Sequence, residues 1–210
     1  MIKAVILDLG NVVIQTDYNR VYSILEQHSH CPKERMRDLI FASPVYRDFE
    51  MGNSSIEQFY EEVTRTIQLK MDLKQFCAVW SDAFLPEAIL PDELLRTLAS
   101  RYRLIALSDN NPIHFPVIRN LFPILNRFHD FTLSYQVKAI KPMPEIYEAA
   151  VQKAGCLPQE CFFVDDVERN VQGARNCGLH GYRFESHEKL LQTLKERGIN
   201  FKGDQADQLS

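Results

Sequence analysis

No basic tract, no paired cysteines and no long apolar run occur in this sequence of 210 residues, and each absence removes a class of function. With a formal net charge of -4 and no basic run, the chain offers no electrostatic footprint for nucleic acid or an acidic membrane surface. The longest apolar run near the N-terminus, "AVILDLGNVVI", is broken by Asp8 and is too short to cross a bilayer. Neither a charged leader nor a small-residue cleavage site frames it, so the chain is read as cytoplasmic, with no nucleic-acid or membrane partner. The five cysteines (Cys31, Cys77, Cys156, Cys161 and Cys177) are odd in number, scattered and without a CxxC pair, which predicts free structural thiols. The "HSHC" at 28–31 has no partners at zinc-site spacing and reads as a solvated helix end. There is no internal repeat, and the polar end of the chain is read as a disordered tail over 201–210.

What is present is enough apolar material for one sizeable core: 45% hydrophobic residues against 25% charged. Five short apolar segments have strand character: "AVILDL", "RLIALS" at 103–108, "DFTLSY" near 130–135, "CFFVDD" at 161–166 and "HGYRF" at 180–184. Their apolar residues run on almost without alternation, as in parallel strands covered on both faces. Helical patterns separate them: "DELLRTLASRY", "IHFPVIRNLF", "PEIYEAAVQKAG", "ERNVQGARNCG" and "HEKLLQTLKERG", with Gly155, Gly178 and Gly198 as stops. The class is therefore α/β, a Rossmann-like parallel sheet covered by helices.

Residues 16–90 break that rhythm, with four helix-spaced segments and no convincing strand. They are read as an all-helical cap inserted into a core made of 1–15 and 91–200. "GNSS" predicts a helix N-cap at Ser54 or Ser55, and Phe76, Trp80 and Phe84, four apart, predict the insertion's own packed stripe.

At the carboxyl ends of such strands, reactive residues gather where the strand order reverses. Asp8 ends the first strand; Ser108, Asp109 and Asn110 end the second; Lys141 follows the third; Asp165 and Asp166 end the fourth. Singly, each has a plain alternative: Asp8 as a turn cap, Ser108 with Asp109 as a helix N-cap, Lys141 as a solvated loop cation. The Asp165-Asp166 doublet is harder to dismiss, because adjacent carboxylates repel unless a cation joins them.

In order and interval these residues resemble the haloacid dehalogenase-like hydrolases: "VILDLGNV" is similar to motif one, "IALSDN" to motif two, "KAIKPMPEIY" to motif three and "FFVDDVERNVQGARNCG" to motif four. "DLGNVVI" followed by Asp17, Tyr18, Asn19 and Arg20 is similar, more narrowly, to bacterial phosphatases of the α-D-glucose-1-phosphate type. The resemblance implies an Mg²⁺-dependent phosphomonoesterase working through an aspartyl-phosphate. Asp8 would be the nucleophile and Lys141 the neutralising cation, with Mg²⁺ held by Asp8, the Gly10 carbonyl, Asp166 and Asp165. Asn11, Ser108, Asp109, Asn110 and backbone N–H groups would meet the phosphate, and Asn170 would orient the acidic pair. Asp17 and Arg20, where the chain enters the cap, would contact substrate or gate closure. The implied partner is a small phosphorylated metabolite, with the protein a monomer or homodimer.

Two departures bear on mechanism. Many phosphatases of this superfamily carry a second Asp two positions after the nucleophile as acid and base; here Gly10 stands in that place. A missing proton donor favours esters whose leaving groups need little protonation, such as sugar 1-phosphates and aryl phosphates. Asp109, an acid beside Ser108, would repel phosphate if turned inward and is expected to point away. Two other readings stay open. One is a 2-haloacid dehalogenase, which needs no metal; the other is a nearly inactive phosphate-binding protein, for which Gly10 is the best argument.

Overall fold

The computed structural model of the chain describes residues 1–201; the tail expected over 201–210 lies, from residue 202 onward, outside them. Seven strands are formed there: β1 (Ala4–Leu7), β2 (Ile14–Thr16), β3 (Phe84–Ala88), β4 (Arg103–Ser108), β5 (Asp130–Leu133), β6 (Cys161–Asp165) and β7 (His180–Arg183). Five of them make one parallel sheet in the order β5-β4-β1-β6-β7. Because β1 pairs with β4 on one side and β6 on the other, the chain reverses direction across the sheet at β1, and the crevice opens at its carboxyl end.

Successive side chains of a strand point to opposite faces, and here both faces are covered. Val5, Leu7, Leu104, Ala106, Phe162 and Val164 enter one buried cluster. Ala4, Ile6, Ile105, Leu107, Cys161 and Phe163 enter another. That two-sided burial is the physical reason for the unbroken apolar runs in the sequence.

The helices are α1 (Tyr18–Gln27), α2 (Lys33–Phe41), α3 (Pro44–Glu50), α4 (Ile56–Ile67), α5 (Leu73–Trp80), α6 (Asp92–Arg101), α7 (His114–Leu121), α8 (Ser134–Val137), α9 (Pro144–Ala154), α10 (Glu168–Asn176) and α11 (His187–Glu196). None is long and apolar enough to cross a membrane among the described residues. Helices α1 to α5 supply most of a third cluster, joined by Ile113 just before α7, in which Val21 and Leu25, Met36 and Ile40, and Phe59, Val63 and Ile67 recur four apart on their helices. Ser55 begins α4 with a full capping box, its hydroxyl accepting from the Gln58 amide while the Gln58 side chain accepts from the Ser55 amide.

Three features differ from the sequence-based expectation. Within 16–90 the chain forms β3, which pairs antiparallel with β2 just outside the parallel sheet. That ribbon is short and half-exposed, so it has no apolar signature. Helix α3 was not anticipated, since its seven residues contain two aromatics and a proline at N1 rather than an apolar stripe. Phe76 and Trp80 belong to the helical cluster, whereas Phe84 sits on β3, packs beside the sheet's cluster and meets the His114 ring edge-on at 5.0 Å.

Phe59 is the centre of the helical cluster, stacked on Phe49 at 4.4 Å and meeting Trp80 edge-on at 5.2 Å. Phe59→Ala is expected to cost about 3–5 kcal/mol of stability, because these rigid neighbours cannot collapse into the space left behind. Urea unfolding would measure it. A loss below about 1 kcal/mol would show that the cluster is loosely packed.

Candidate active site

The strand ends converge as the topology requires. Lys141 is the hub: its Nζ lies 2.8 Å from Asp8 Oδ1 and 2.7 Å from Asp165 Oδ2. All three are buried, with 3%, 8% and 0% of their surfaces exposed for Lys141, Asp8 and Asp165, so solvent does little to screen the pairs. Asp8 Oδ1 also accepts from the Leu9 amide at 2.8 Å, which fixes the carboxylate plane.

Asp165 is saturated. Its Oδ1 accepts from the Val167 amide and Asn170 Nδ2, and its Oδ2 from Lys141 Nζ and, at 3.2 Å, Asn170 Nδ2. The Asn170 backbone is itself held in place, its main-chain carbonyl accepting from the Tyr147 hydroxyl at 2.7 Å. Asp166, half-buried, lines the cavity and takes no hydrogen bond from another side chain among the described residues. Ligand atoms of Asp8, Asp165 and Asp166 lie within 4.8 Å of one another. Such a group of His, Cys, Asp or Glu is found nowhere else among the described residues, and the residues of "HSHC" form none.

The carboxylates nearest Lys141 outnumber it. Asp8, Asp109, Asp165 and Asp166 gather about its ammonium, while the guanidinium groups of Arg47 and Arg169 belong to the outer wall of the cavity. Burial pushes the Asp8 carboxyl up to about 8; Lys141 opposes the shift and Asp165 adds to it. Burial and Asp165 likewise raise Asp166. Burial alone would lower Lys141, but Asp8, Asp165 and Asp109 together hold it well above its ordinary value, so it is a permanent cation. A hard divalent cation is what such a donor set fits. Its oxygens suit Mg²⁺, and two positive charges would bring Asp8 back to the ionised form.

The other expected residues sort into two groups. Gly10, Asn11, Ser108, Asp109 and Asn110 all line the same cavity of about 520 Å³ as Asp8, Lys141 and Asp166. Asn11 has a left-handed backbone, φ 56°, and its Oδ1 accepts from the Thr16 amide and hydroxyl. Asp109 turns Oδ1 toward the Lys141 amide at 2.9 Å, which is the expected direction, yet it remains part of the cavity wall. The motif-one amides are less available than expected: Leu9 N–H donates to Asp8 and Asn11 N–H to the Ile14 carbonyl.

Asp17 and Arg20 are corrections. Asp17 caps α1 by accepting from the Asn19 amide, and Arg20 forms an exposed pair with Asp82 at 3.1 Å. Neither lines the cavity. Thr16 and Tyr18, on either side of Asp17, do line it, so the chain passes the cavity while the Asp17 and Arg20 side chains turn to the α1 N-terminus and to Asp82.

The sequence reading missed the wall contributed by the helical insertion: Tyr18, Phe41, Tyr46, Arg47 and Glu50. Glu50, the last residue of α3, is buried and its Oε1 accepts from Asn111 Nδ2 at 2.7 Å. Burial pushes its carboxyl up to about 7 against the Asn111 and Tyr46 hydrogen bonds. The only sequence signal is weak: a carboxylate beside Phe49 in an aromatic segment just before the "GNSS" turn. His114, also in the wall, is pushed by burial down to about 4 and stays neutral, its Nε2 on the Trp80 carbonyl and Nδ1 facing Asn111 Nδ2.

At pH 7, below its raised value of about 8, Asp8 holds a proton in the metal-free protein that a bound cation must displace. Binding of Mg²⁺ at this pH is therefore expected to release on the order of one proton, fewer as the pH rises past 8. Titration calorimetry in buffers of different ionisation enthalpy measures this. Identical heats in all buffers would count against it.

Comparison with known proteins agrees with this geometry. The family model of the haloacid dehalogenase-like hydrolases matches residues 2–178. The D-ribitol-5-phosphate phosphatase of Bacteroides thetaiotaomicron is 22% identical over 200 residues, covering 92% of this chain and 97% of that protein. A haloacid dehalogenase-family enzyme of the same organism, solved in complex with magnesium and inorganic phosphate, superposes with a TM-score of 0.75 at 27% identity, covering 89% of this chain and 96% of that one. The L-2-haloacid dehalogenase of Xanthobacter autotrophicus shares the fold, with a TM-score of 0.64 at 20% identity over 95% of this chain and 85% of that one. With the parallel sheet, the Lys141 hub and the acidic cluster in place, the chain belongs to the haloacid dehalogenase-like hydrolase family.

Proposed function

We propose that the chain is an Mg²⁺-dependent phosphomonoesterase acting on a small phosphorylated sugar or polyol, sugar 1-phosphates among them. The observation that carries this reading is the surplus of carboxylates packed about Lys141, with ligand atoms of Asp8, Asp165 and Asp166 within 4.8 Å of one another. A negatively charged substrate would be repelled from four carboxylates unless a divalent cation sat among them. The same surplus speaks against a metal-free dehalogenase acting on an anionic haloacid. Both the phosphatase of known substrate and the magnesium and phosphate complex among the relatives support the phosphoryl reading.

Asp8 is the nucleophile, attacking phosphorus in line with the ester oxygen to form an aspartyl-phosphate that water then hydrolyses. Lys141 holds Asp8 through Oδ1, leaving Oδ2 for attack or for the metal. Asp8, Asp166 and the Gly10 carbonyl would hold Mg²⁺, which would supply charge neutralisation for the phosphoryl group. Asp165, whose oxygens are occupied, positions Lys141 rather than binding the metal directly. The Ser108 hydroxyl and the Asn110 side-chain Nδ2, both in the cavity wall with Asp8, meet phosphoryl oxygens. Residues 16–90 act as the cap, and Tyr18, Phe41 and Tyr46 give the substrate's carbon skeleton apolar faces to pack on.

Phosphate release from a panel of sugar and polyol phosphates, with and without Mg²⁺, tests the reading. Release is expected only with the cation. Asp8→Asn is expected to abolish it while leaving the circular dichroism spectrum and unfolding midpoint near those of the wild type. Asp166→Asn should raise the Mg²⁺ concentration needed by at least about tenfold, because a charged ligand oxygen is replaced by a neutral one. Activity that survives excess chelator, or survives in the Asp8→Asn variant, would refute the assignment.

A further inference from the structure

We propose that Glu50, carried by the helical insertion, is the general acid and base of this site, taking the part that Gly10 leaves vacant in motif one. The proposal rests on the phosphomonoesterase reading above. Its geometric basis is that Glu50 lines the same cavity as Asp8, Gly10 and Lys141 although it lies on a different part of the chain. Gly10 is not imposed by packing, since a Cβ there would meet nothing nearer than Thr16 Cγ2 at 3.9 Å. At Gly10 there is space for the side chain that a motif-one acid would have, and Glu50 of the insertion lines the same cavity.

Burying a carboxyl is costly, and this one is built in with care. Its Oε1 is held by Asn111 Nδ2, and its backbone carbonyl accepts from the Ser134 hydroxyl at 2.6 Å. Two residues on, Gly52 adopts φ +65°, and a Cβ there would overlap the Tyr135 carbonyl. The Lys138 ammonium also donates to the Gly52 carbonyl. The end of α3 is thereby pressed onto the core at the strand-end crevice, with Glu50 at the contact.

Tyr18, Tyr46, Asp109 and Lys141 are the titratable groups that act on Glu50, Arg47 shares its cavity wall, and neutral His114 is linked through Asn111. Burial outweighs the hydrogen bonds from Asn111 and Tyr46, and the carboxyl sits near 7, where a residue can both give and take a proton. Asp109 adds to the upward push and Lys141 opposes it.

The chemistry balances in two steps. As Asp8 Oδ bonds to phosphorus, the bond from phosphorus to the ester oxygen breaks, and that oxygen keeps the electron pair. It takes the proton from the Glu50 carboxyl, so the alcohol leaves neutral and Glu50 becomes a carboxylate. Water then attacks phosphorus and gives one proton to Glu50. The bond between phosphorus and Asp8 breaks, the Asp8 carboxylate is restored, and inorganic phosphate leaves with Glu50 protonated again.

A simple latch between cap and core would use the same Asn111 contact, so the test must read proton transfer. Glu50→Gln keeps an oxygen for Asn111 and removes the transferable proton. The ratio kcat/KM reports events only through formation of the aspartyl-phosphate, which isolates the acid role. It is measured with Mg²⁺ present on a primary alkyl phosphate, ribitol 5-phosphate, and on p-nitrophenyl phosphate. For the alkyl ester a loss of about 10²-fold or more is expected in Glu50→Gln, against a few-fold for the aryl ester, whose leaving group needs no proton. Equal losses on both esters, or none on either, would overturn the proposal while leaving the phosphatase reading intact. Wild-type protein inactive on both would overturn that reading and the proposal with it.

A second measurement needs no variant. In the wild type, kcat/KM for the alkyl ester should fall above about pH 7 relative to that for the aryl ester, as Glu50 loses its proton. Ionisation of Asp8 and of the metal site affects both esters alike and cancels in the ratio. A ratio that is flat between pH 6 and pH 9, on the order of the range set by ordinary acid–base behaviour, would rule Glu50 out as the acid.

Discussion

The buried ammonium of Lys141 between Asp8 and Asp165 is the interaction on which the rest of the site depends. It joins the ends of β1 and β6, adjacent in the sheet, to the loop that follows β5 and α8. Taking three charges out of water is costly, and the cost is offset only where geometry is tight and the remaining lone pairs are satisfied. Asp165 shows that condition met, with Val167, Asn170 and Lys141 filling its oxygens. Asp8 and Asp166 show it incompletely met. Their spare oxygens, beside a carboxyl that burial has raised, are what a divalent cation would complete and, on the proposed reading, what a phosphate would reach through it. Stability and function are thus opposed at neighbouring carboxylates, one locked and two left wanting.

How much of this was legible in the sequence follows from what each signal depends on. The parallel strands were legible because burial on two faces leaves continuous apolar runs, and "AVIL", "LIAL" and "CFFV" are all fully enclosed. Asp8, Lys141 and Asp165 were legible because each ends a strand or follows one, where open α/β topology places reactive groups. The β2–β3 ribbon was not, since strands of three and five residues with partly exposed faces have no period to detect. Asp17 and Arg20 were misplaced for a related reason. Adjacency in sequence to Asp8 says nothing about where a side chain points: Thr16 and Tyr18 line the cavity, while Asp17 caps α1 and Arg20 pairs with Asp82.

Glu50 was illegible for a deeper reason. Its burial depends on Asn111, Ser134 and Tyr135, each some sixty residues or more further along the chain, and no local pattern encodes that meeting. Gly52 is the one local trace, a residue that tolerates both the left-handed turn and the close approach to the Tyr135 carbonyl. Even so, a glycine before "NSS" reads equally as the start of an ordinary turn into α4.

Placing the proton donor on the insertion rather than in motif one changes what closure accomplishes. In a site whose acid sits beside the nucleophile, the cap need only shield the reaction from water. On the proposed roles the nucleophile, Lys141 and the metal ligands belong to the core, while the acid and the aromatic wall belong to α1, α2 and α3. An open cap would separate them. Leaving-group departure would then proceed fully only when the Asn111–Glu50 and Ser134–Glu50 contacts are made, so substrates that let the cap close are the ones turned over. The hydrolytic half-reaction inherits the same dependence, because the carboxylate that activates water is the one that has just given up its proton. Selectivity in such an enzyme arises from how well a substrate's skeleton fits against Tyr18, Phe41 and Tyr46 with Glu50 in place. Binding energy between substrate and cap is thereby converted into the assembly of the catalytic group itself.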